Sequence, residues 1–455
     1  MAGGNFDKSV GKDRPGTYIN FEDNNVTLVT GNERGTVLIP FANTDYGPAK
    51  SFINISAAAL DAAKPYLGYS VLDTDPANNM LLIREAFKGA SRVIVYICTA
   101  GTAKATGTGG GLNASAKYKG ARGNELSYAV LTNPAGGFDV EVYLDGSPVE
   151  AFERITVAAD LAGSQWIDFA AHETTPGTAD AISAVAGVSL SGGTSATTQN
   201  GDVTDFLDAA EGVAFNTLCF PFTDSTLQSA AKTKIKYLRE QVGRGVQVVC
   251  PNFAGDYEGV IDVTNSYALG EYELTTAEAT AYVAGITAGA TNVQSNTYRK
   301  VDAATGVVGL KTHEAAVTAI KNGEFFFSTS EAGEVIVEYD INSLKTFTQK
   351  KGPHYRKNRV IRVFDTFQEA IQLNFPPNKY DNDPDGWAAM KGIGNSILKR
   401  FGPRSDGGVG AIKNIDYERD FTIDEELSQG DETYFNVGLE PVDSAEKLYF
   451  SISTR

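Results

Sequence analysis

Ser195 is the first candidate nucleophile, because Gly193-Thr194-Ser195-Ala196 has the small residues of a turn that could expose a hydroxyl. A serine hydrolase also needs a histidine base oriented by a carboxylate. The chain has three histidines, His172, His313 and His354, and none lies in a glycine-rich motif. Ser195 therefore reads as a linker residue. Asp381-Asn382-Asp383-Pro384-Asp385-Gly386 resembles the first half of a calcium-binding loop, but the position that needs a bidentate Glu is Gly392, and Pro384 is wrong for the turn. It reads as a capping turn ahead of a helix. The Gly107–Gly111 run is not followed by the Gly-Lys-Ser/Thr of a phosphate loop. Cys98, Cys219 and Cys250 form no close pair and sit in or at the end of apolar runs, as small buried residues of a reducing compartment do. These residues assemble no catalytic constellation, so we expect no enzyme activity, no cofactor and no metal site.

Composition narrows the remaining classes. A length of 455 residues suggests two to four domains. The net charge of −17 argues against direct nucleic-acid binding, which needs a positive face for the phosphates. An acidic balance does keep a concentrated subunit soluble. The longest apolar runs, such as Val93–Cys98, are of strand length, far short of the roughly 20 residues of a membrane helix. The start, Met-Ala-Gly-Gly-Asn-Phe-Asp-Lys, lacks an apolar signal region. We expect no membrane insertion and a cytoplasmic place of assembly.

The elements that would position any site alternate in kind along the chain. Residues 1–25 read as an extended arm, with a strand-like stretch near Tyr18 that is too short of apolar residues for a core of its own. Residues 26–98 read as mixed α/β, with a strand at Thr36–Phe41, helices at Asp61–Leu67 and Ala77–Lys88, and a strand at Arg92–Cys98 that is apolar on both faces, as in a covered parallel sheet. Residues 99–190 read as an inserted all-β sandwich behind the glycine-rich linker Thr99–Leu112, with strands at Ser127–Thr132, Phe138–Leu144 and Phe152–Val157 and a hairpin turn at Asp145-Gly146. A second linker-like stretch, Ser191–Asn200, returns the chain to α/β alternation over 191–342. Helices are expected there at Val203–Ala210, Thr226–Gln241 and Thr276–Ala288, strands at Val213–Cys219, Val246–Cys250 and Val260–Val263, and a hairpin from Phe325–Ser328 to Val335–Tyr339. Residues 343–455 read as an α+β unit with helices Arg359–Leu373 and Trp387–Phe401 and strands Tyr434–Val442 and Leu448–Ser453.

Charge is uneven in this last unit. Lys345 to Arg362 holds seven Lys or Arg and no acid, whereas Asp416 to Glu446 holds eleven acids and one Arg. The two segments could pair within one molecule or between copies, where they would fix register more than affinity.

Several stretches together resemble the sheath proteins of contractile phage tails and R-type bacteriocins, in their Gram-positive phage branch. Arg14-Pro15-Gly16-Thr17-Tyr18-Ile19-Asn20-Phe21 is similar to the N-terminal arm, and Lys117-Tyr118-Lys119-Gly120-Ala121-Arg122-Gly123-Asn124 to the start of the inserted sandwich. Tyr282-Val283-Ala284-Gly285-Ile286-Thr287-Ala288-Gly289 sits where the family has a small-residue helix. Phe435–Pro441 and Lys447–Thr454 look like the closing strands. The order and spacing of these stretches cover nearly the whole chain.

The resemblance implies a central α/β sheath domain, named in the family for a likeness to subtilisin, with an inserted β-sandwich and a C-terminal α+β domain with extended arms. It implies a helical homo-oligomer of stacked six-fold rings around an inner tail tube, finished by baseplate and tail terminator proteins, in a virion tail or bacteriocin particle. Its arms would add strands to neighbouring copies through Thr17, Tyr18, Ile19, Asn20 and Phe21 at one end and Leu448, Tyr449, Phe450, Ser451 and Ile452 at the other. Lys391, Lys399, Arg400 and Arg404, on and after the second C-terminal helix, would face the tube. Two other readings stand beside this one: another tail polymer, of tube or baseplate, and a hydrolase with an inserted β-sandwich. The shortage of histidine and of convergent acid–base groups counts against the hydrolase.

Overall fold

The computed structural model describes residues 34–75 and 78–454. The arm stretch Thr17–Phe21 therefore lies outside the described residues.

The centre is a seven-stranded sheet ordered Glu324–Phe325, Val260–Val263, Gln247–Pro251, Thr217–Cys219, Thr36–Phe41, Arg92–Ile97, Ser51–Ser56. Its strands run parallel except the last, which pairs antiparallel with Arg92–Ile97 along the edge. Side chains alternate between two cores, as period-two geometry requires. Val37, Ile39 and Phe41 enter one core beside the helices Met80–Phe87 and Thr276–Gly289, while Leu38 enters the other beside Asn200–Ala209 and Ser225–Glu240. Both faces are thus covered by helices, which explains why Arg92–Cys98 lacks a polar face.

Local chemistry fixes the helix starts. Thr275 Oγ1 accepts from Glu278 N at 3.2 Å, and Thr275 N donates to Glu278 Oε2 at 2.7 Å, a capping box ahead of Thr276–Gly289. Asp224 Oδ1 accepts from Thr226 N and Leu227 N at 2.8 and 3.1 Å, and these amides hold its carboxyl below the usual range. Helix Thr276–Gly289 is buried from Ala279 to Ala288. Its small residues let it touch backbone: a Cβ on Gly285 would lie 2.1 Å from Ala86 O, and one on Gly289 would lie 1.9 Å from Gly89 O.

Residues 101–195 build a three-stranded sheet (Thr106–Gly109, Leu112–Ala116, Ile167–Ala171) and a four-stranded sheet (Leu126–Thr132, Phe138–Leu144, Ser147–Ile155, Val185–Ser189) that share one core. The turn at Asp145 and Gly146 has φ of 51° and 72°, the conformation a tight hairpin demands. Two expectations change here. Thr99–Leu112 is not a linker: Gly101–Ala103 and Thr106–Gly109 are strands within it. Ser191–Asn200 likewise contributes a short strand, Thr194–Ser195, that pairs back onto Gly101–Ala103. The glycines serve close approach, since a Cβ on Gly101 would meet Thr194 O at 2.3 Å. The unit is also fastened to the central sheet's side of the molecule. Tyr46 enters its core and stacks on Trp166 at 6.4 Å, and Arg122 joins Gly68 O to the Asp145 carboxylate.

The C-terminal residues form helices Asn358–Asn374 and Pro384–Phe401 and a two-stranded sheet, Phe421–Ile423 with Phe435–Val437. Phe367, Phe401, Phe421 and neighbours close a separate core. The expected strand Tyr434–Val442 breaks up: Phe435–Val437 pairs with Phe421–Ile423, and past Gly438 the chain turns to an isolated bridge from Pro441 to Ile412. Leu448–Ser453 forms no strand at all in the single chain.

Candidate assembly surface

Asp383, in the segment that resembled a calcium loop, caps Pro384–Phe401 through Gly386 N at 2.7 Å, and Asn382 Oδ1 accepts from Trp387 Nε1 at 2.6 Å. Ser195 Oγ accepts from Ala121 N at 3.1 Å, whereas His172 Nδ1 pairs with Asp180 at 2.7 Å. Among the described residues no hydrogen bond brings Ser195 and His172 together.

The surface worth building instead surrounds helix Asn358–Asn374. One of its sides carries Arg359, Arg362 and Asp365, three residues apart, so they share a face. That side is buried. Arg362 is 0% exposed and bonds Asp340 at 2.8 Å and Gln294 O at 2.7 Å. Asp340 also accepts from Asn296 N and Asn358 Nδ2. Asp365 takes both arms of Arg239, from helix Ser225–Glu240, at 3.0 and 2.8 Å. Burial opposes the Arg239 charge, and Asp365 more than offsets it, so the guanidinium stays above its ordinary pKa. Two desolvated ion pairs therefore lock this helix to the body. The i, i+3, i+6 charges amid apolar Val360, Ile361, Val363 and Phe367 were the available signal for them in the sequence.

The same helix start receives the chain end. Lys357 engages Glu446 and reaches Asp443 at 3.6 Å, and Arg359 Nη1 donates to Ser444 Oγ at 2.6 Å. The basic and acidic segments thus meet in part inside one molecule. Asp424, Glu425, Glu426 and Asp431 form no ion pair among the described residues and remain on the surface with Leu427. Beyond Glu446 the chain runs free: Leu448 is 67% exposed, Tyr449 90%, Phe450 80% and Ile452 91%. Ser451 is exposed with them.

The four basic residues assigned to the tube differ among themselves. Lys391 is half-buried and pairs with Glu418 at 2.9 Å. Lys399, Arg400 and Arg404 are exposed and form no ion pair among the described residues.

Comparison with known proteins fits this layout. Residues 196–343 match the phage tail sheath protein central domain, and residues 350–455 the phage tail sheath C-terminal domain. The phage-like element PBSX protein XkdK of Bacillus subtilis is 34% identical over 474 residues, covering 99% of each chain. The chain belongs to the phage tail sheath family. Sheath tail proteins of Desulfitobacterium hafniense and Listeria innocua share its structure, with TM-scores of 0.80 and 0.76 at 35% and 31% identity. The first alignment covers 96% of this chain and 99% of that one, and the second covers 92% and 94%. As a sheath protein, the chain is a structural subunit of a contractile tail sheath and not an enzyme.

Proposed function

We propose that the subunit polymerises as stacked six-fold rings around an inner tail tube, joined by strands exchanged through its chain ends, and that the sheath shortens to drive the tube through a target envelope. The exposed C-terminal tail carries this reading. In an extended chain Leu448, Phe450 and Ile452 line one side and Tyr449, Ser451 and Ser453 the other. That is the pattern of a half-buried strand, yet its apolar side faces water and its backbone has no sheet partner among the described residues. The sheet of Phe421–Ile423 and Phe435–Val437 has two strands among the described residues and so offers edges to a neighbour. Strand addition there supplies main-chain hydrogen bonds with few demands on side chains. A contact that passes a strand from one copy to the next does not close on itself, and it builds a filament.

The N-terminal residues Thr17–Phe21 act as the second strap. Residues 26–98 and 191–342 form the two parts of the sheath domain, residues 99–190 the insertion, and residues 343–455 the polymerisation unit. Lys399, Arg400 and Arg404 face the tube, with Lys391 held back by Glu418. Baseplate and terminator proteins complete the two ends of a virion or bacteriocin tail. During shortening the arms keep neighbours joined while rigid bodies rotate between two packings of unequal energy.

Truncation after Lys447 tests the reading. The shortened subunit keeps the wild-type circular dichroism and melting curve, because the described part of the removed segment is exposed, and forms no filaments by sedimentation or negative-stain microscopy. Deletion of residues 1–22 gives the same assembly defect. Sheath-like polymers from either variant contradict it.

A further inference from the structure

The tail changes character at a single residue. The Glu446 side chain is 9% exposed, the last shielded side chain before the free segment. Its Oε1 accepts from Ser295 Oγ at 3.0 Å and Thr297 Oγ1 at 2.8 Å, and its Oε2 is engaged by Lys357 Nζ. The donors are themselves held. Lys357 lies 4.3 Å from the Tyr339 ring centroid, and Thr297 Oγ1 accepts from Asp340 N at 3.1 Å. The notch is thus one end of the buried Asp340–Arg362 network. A carboxylate taken out of water is costly unless several donors meet it, and here three do so from two separate parts of the fold. From Lys447 onward the described residues make no hydrogen bond.

We propose that Glu446 clamps the root of the C-terminal arm, a conclusion that rests on the strand-exchange reading above. The exchanged strand is then limited to residues 447–455. At ~3.3 Å per residue it spans about 30 Å, so the acceptor edge of the neighbouring copy lies within that distance of Glu446. Without the clamp the next ties are Arg359 Nη1 to Ser444 Oγ at 2.6 Å and Val442 N to Ala411 O at 2.8 Å, so residues 445 and 446 join the loose tether and Ser444 hangs on a side-chain bond. A longer tether lowers the effective concentration of the strand at its acceptor and blurs its register. Glu446 is accordingly a positioning residue: it makes no contact with the neighbour and decides where the strand begins.

The test uses full-length Glu446→Ala and Glu446→Gln subunits. In the unassembled Glu446→Ala subunit, a nitroxide placed at Ala445→Cys tumbles at least threefold faster than in the wild-type background, while amide exchange in helix Asn358–Asn374 stays at the wild-type rate. The critical concentration for polymerisation rises about tenfold. Glu446→Gln keeps an acceptor for Ser295 and Thr297 and falls between, and it decides the matter should the alanine variant fail to fold. Wild-type label motion at the root, a wild-type critical concentration, or faster exchange spread through the helix overturns the clamp. If truncation after Lys447 blocks assembly while both Glu446 variants assemble as wild type, the clamp alone fails. If the truncated chain polymerises, strand exchange through this end fails with it.

Discussion

Replacing Asp365 with alanine leaves the Arg239 guanidinium buried and without its counter-charge. The Asp365 side chain is 3% exposed and that of Arg239 12%, so water cannot substitute for the lost carboxylate. Two hydrogen bonds, at 3.0 and 2.8 Å, disappear together, and only the bond from Arg239 Nη1 to Val246 O at 3.0 Å remains. Removing one partner of such a pair costs about 3–5 kcal/mol, most of it the penalty of an unpaired buried charge. Asp365→Asn keeps one acceptor and should lose roughly half as much. The double variant Arg239→Met with Asp365→Leu removes both charges, and should recover to within about 1–2 kcal/mol of wild type. Urea unfolding of the unassembled subunit, followed through Trp387 in a Trp166→Phe background, measures all three. An Asp365→Ala loss under about 1 kcal/mol, or a double variant no better than the single one, refutes the view that these ion pairs fasten the C-terminal helix to the body.

Gly285→Ala should lower stability even though alanine favours a helix by about 1 kcal/mol, because its Cβ would lie 2.1 Å from Ala86 O and force two helices apart; a stabilised variant in the same urea assay contradicts this. Burial pushes the Asp262 carboxyl up to about 6 from 3.8. The folded state therefore holds its proton more tightly than the unfolded chain, and stability falls as pH rises from about 4 to about 6 and stays reduced above that. Asp262→Asn should remove that fall, worth up to about 3 kcal/mol, and an unchanged pH profile of the melting temperature argues against it. Arg122→Ala breaks the bond to Gly68 O at 3.0 Å and both contacts to Asp145, so limited proteolysis should cut residues 99–126 faster than in wild type. A wild-type digestion pattern would mean that Arg122 does not hold the inserted sheets in place.

What the sequence revealed follows from which interactions are local. The strand Thr36–Phe41, the hairpin strand Phe138–Leu144 and the helix after Thr275 depend on a short continuous apolar run, an alternating run with a turn dipeptide, and a capping box, all readable within a few residues. The glycine-rich stretch after Thr99 misled because composition cannot distinguish glycine chosen for freedom from glycine chosen for contact. Gly109 would place a Cβ 2.6 Å from Val188 Cγ2, a neighbour far along the chain. The ion pairs of Asp340 and Asp365 join residues brought together only by the fold, although the spacing of Arg359, Arg362 and Asp365 marked their helix face. The tail was legible as a strand by pattern, but among the described residues of the single chain nothing pairs with it.

The most direct measurement is a cryo-electron microscopy map of the assembled polymer, traced through residues 440–455. The account predicts that Leu448–Ile452 lies as a strand hydrogen-bonded to an adjacent copy, with Glu446 still seated against Lys357 of its own. Density showing that segment folded back onto its own subunit, or leaving the intersubunit contacts untouched, would contradict it.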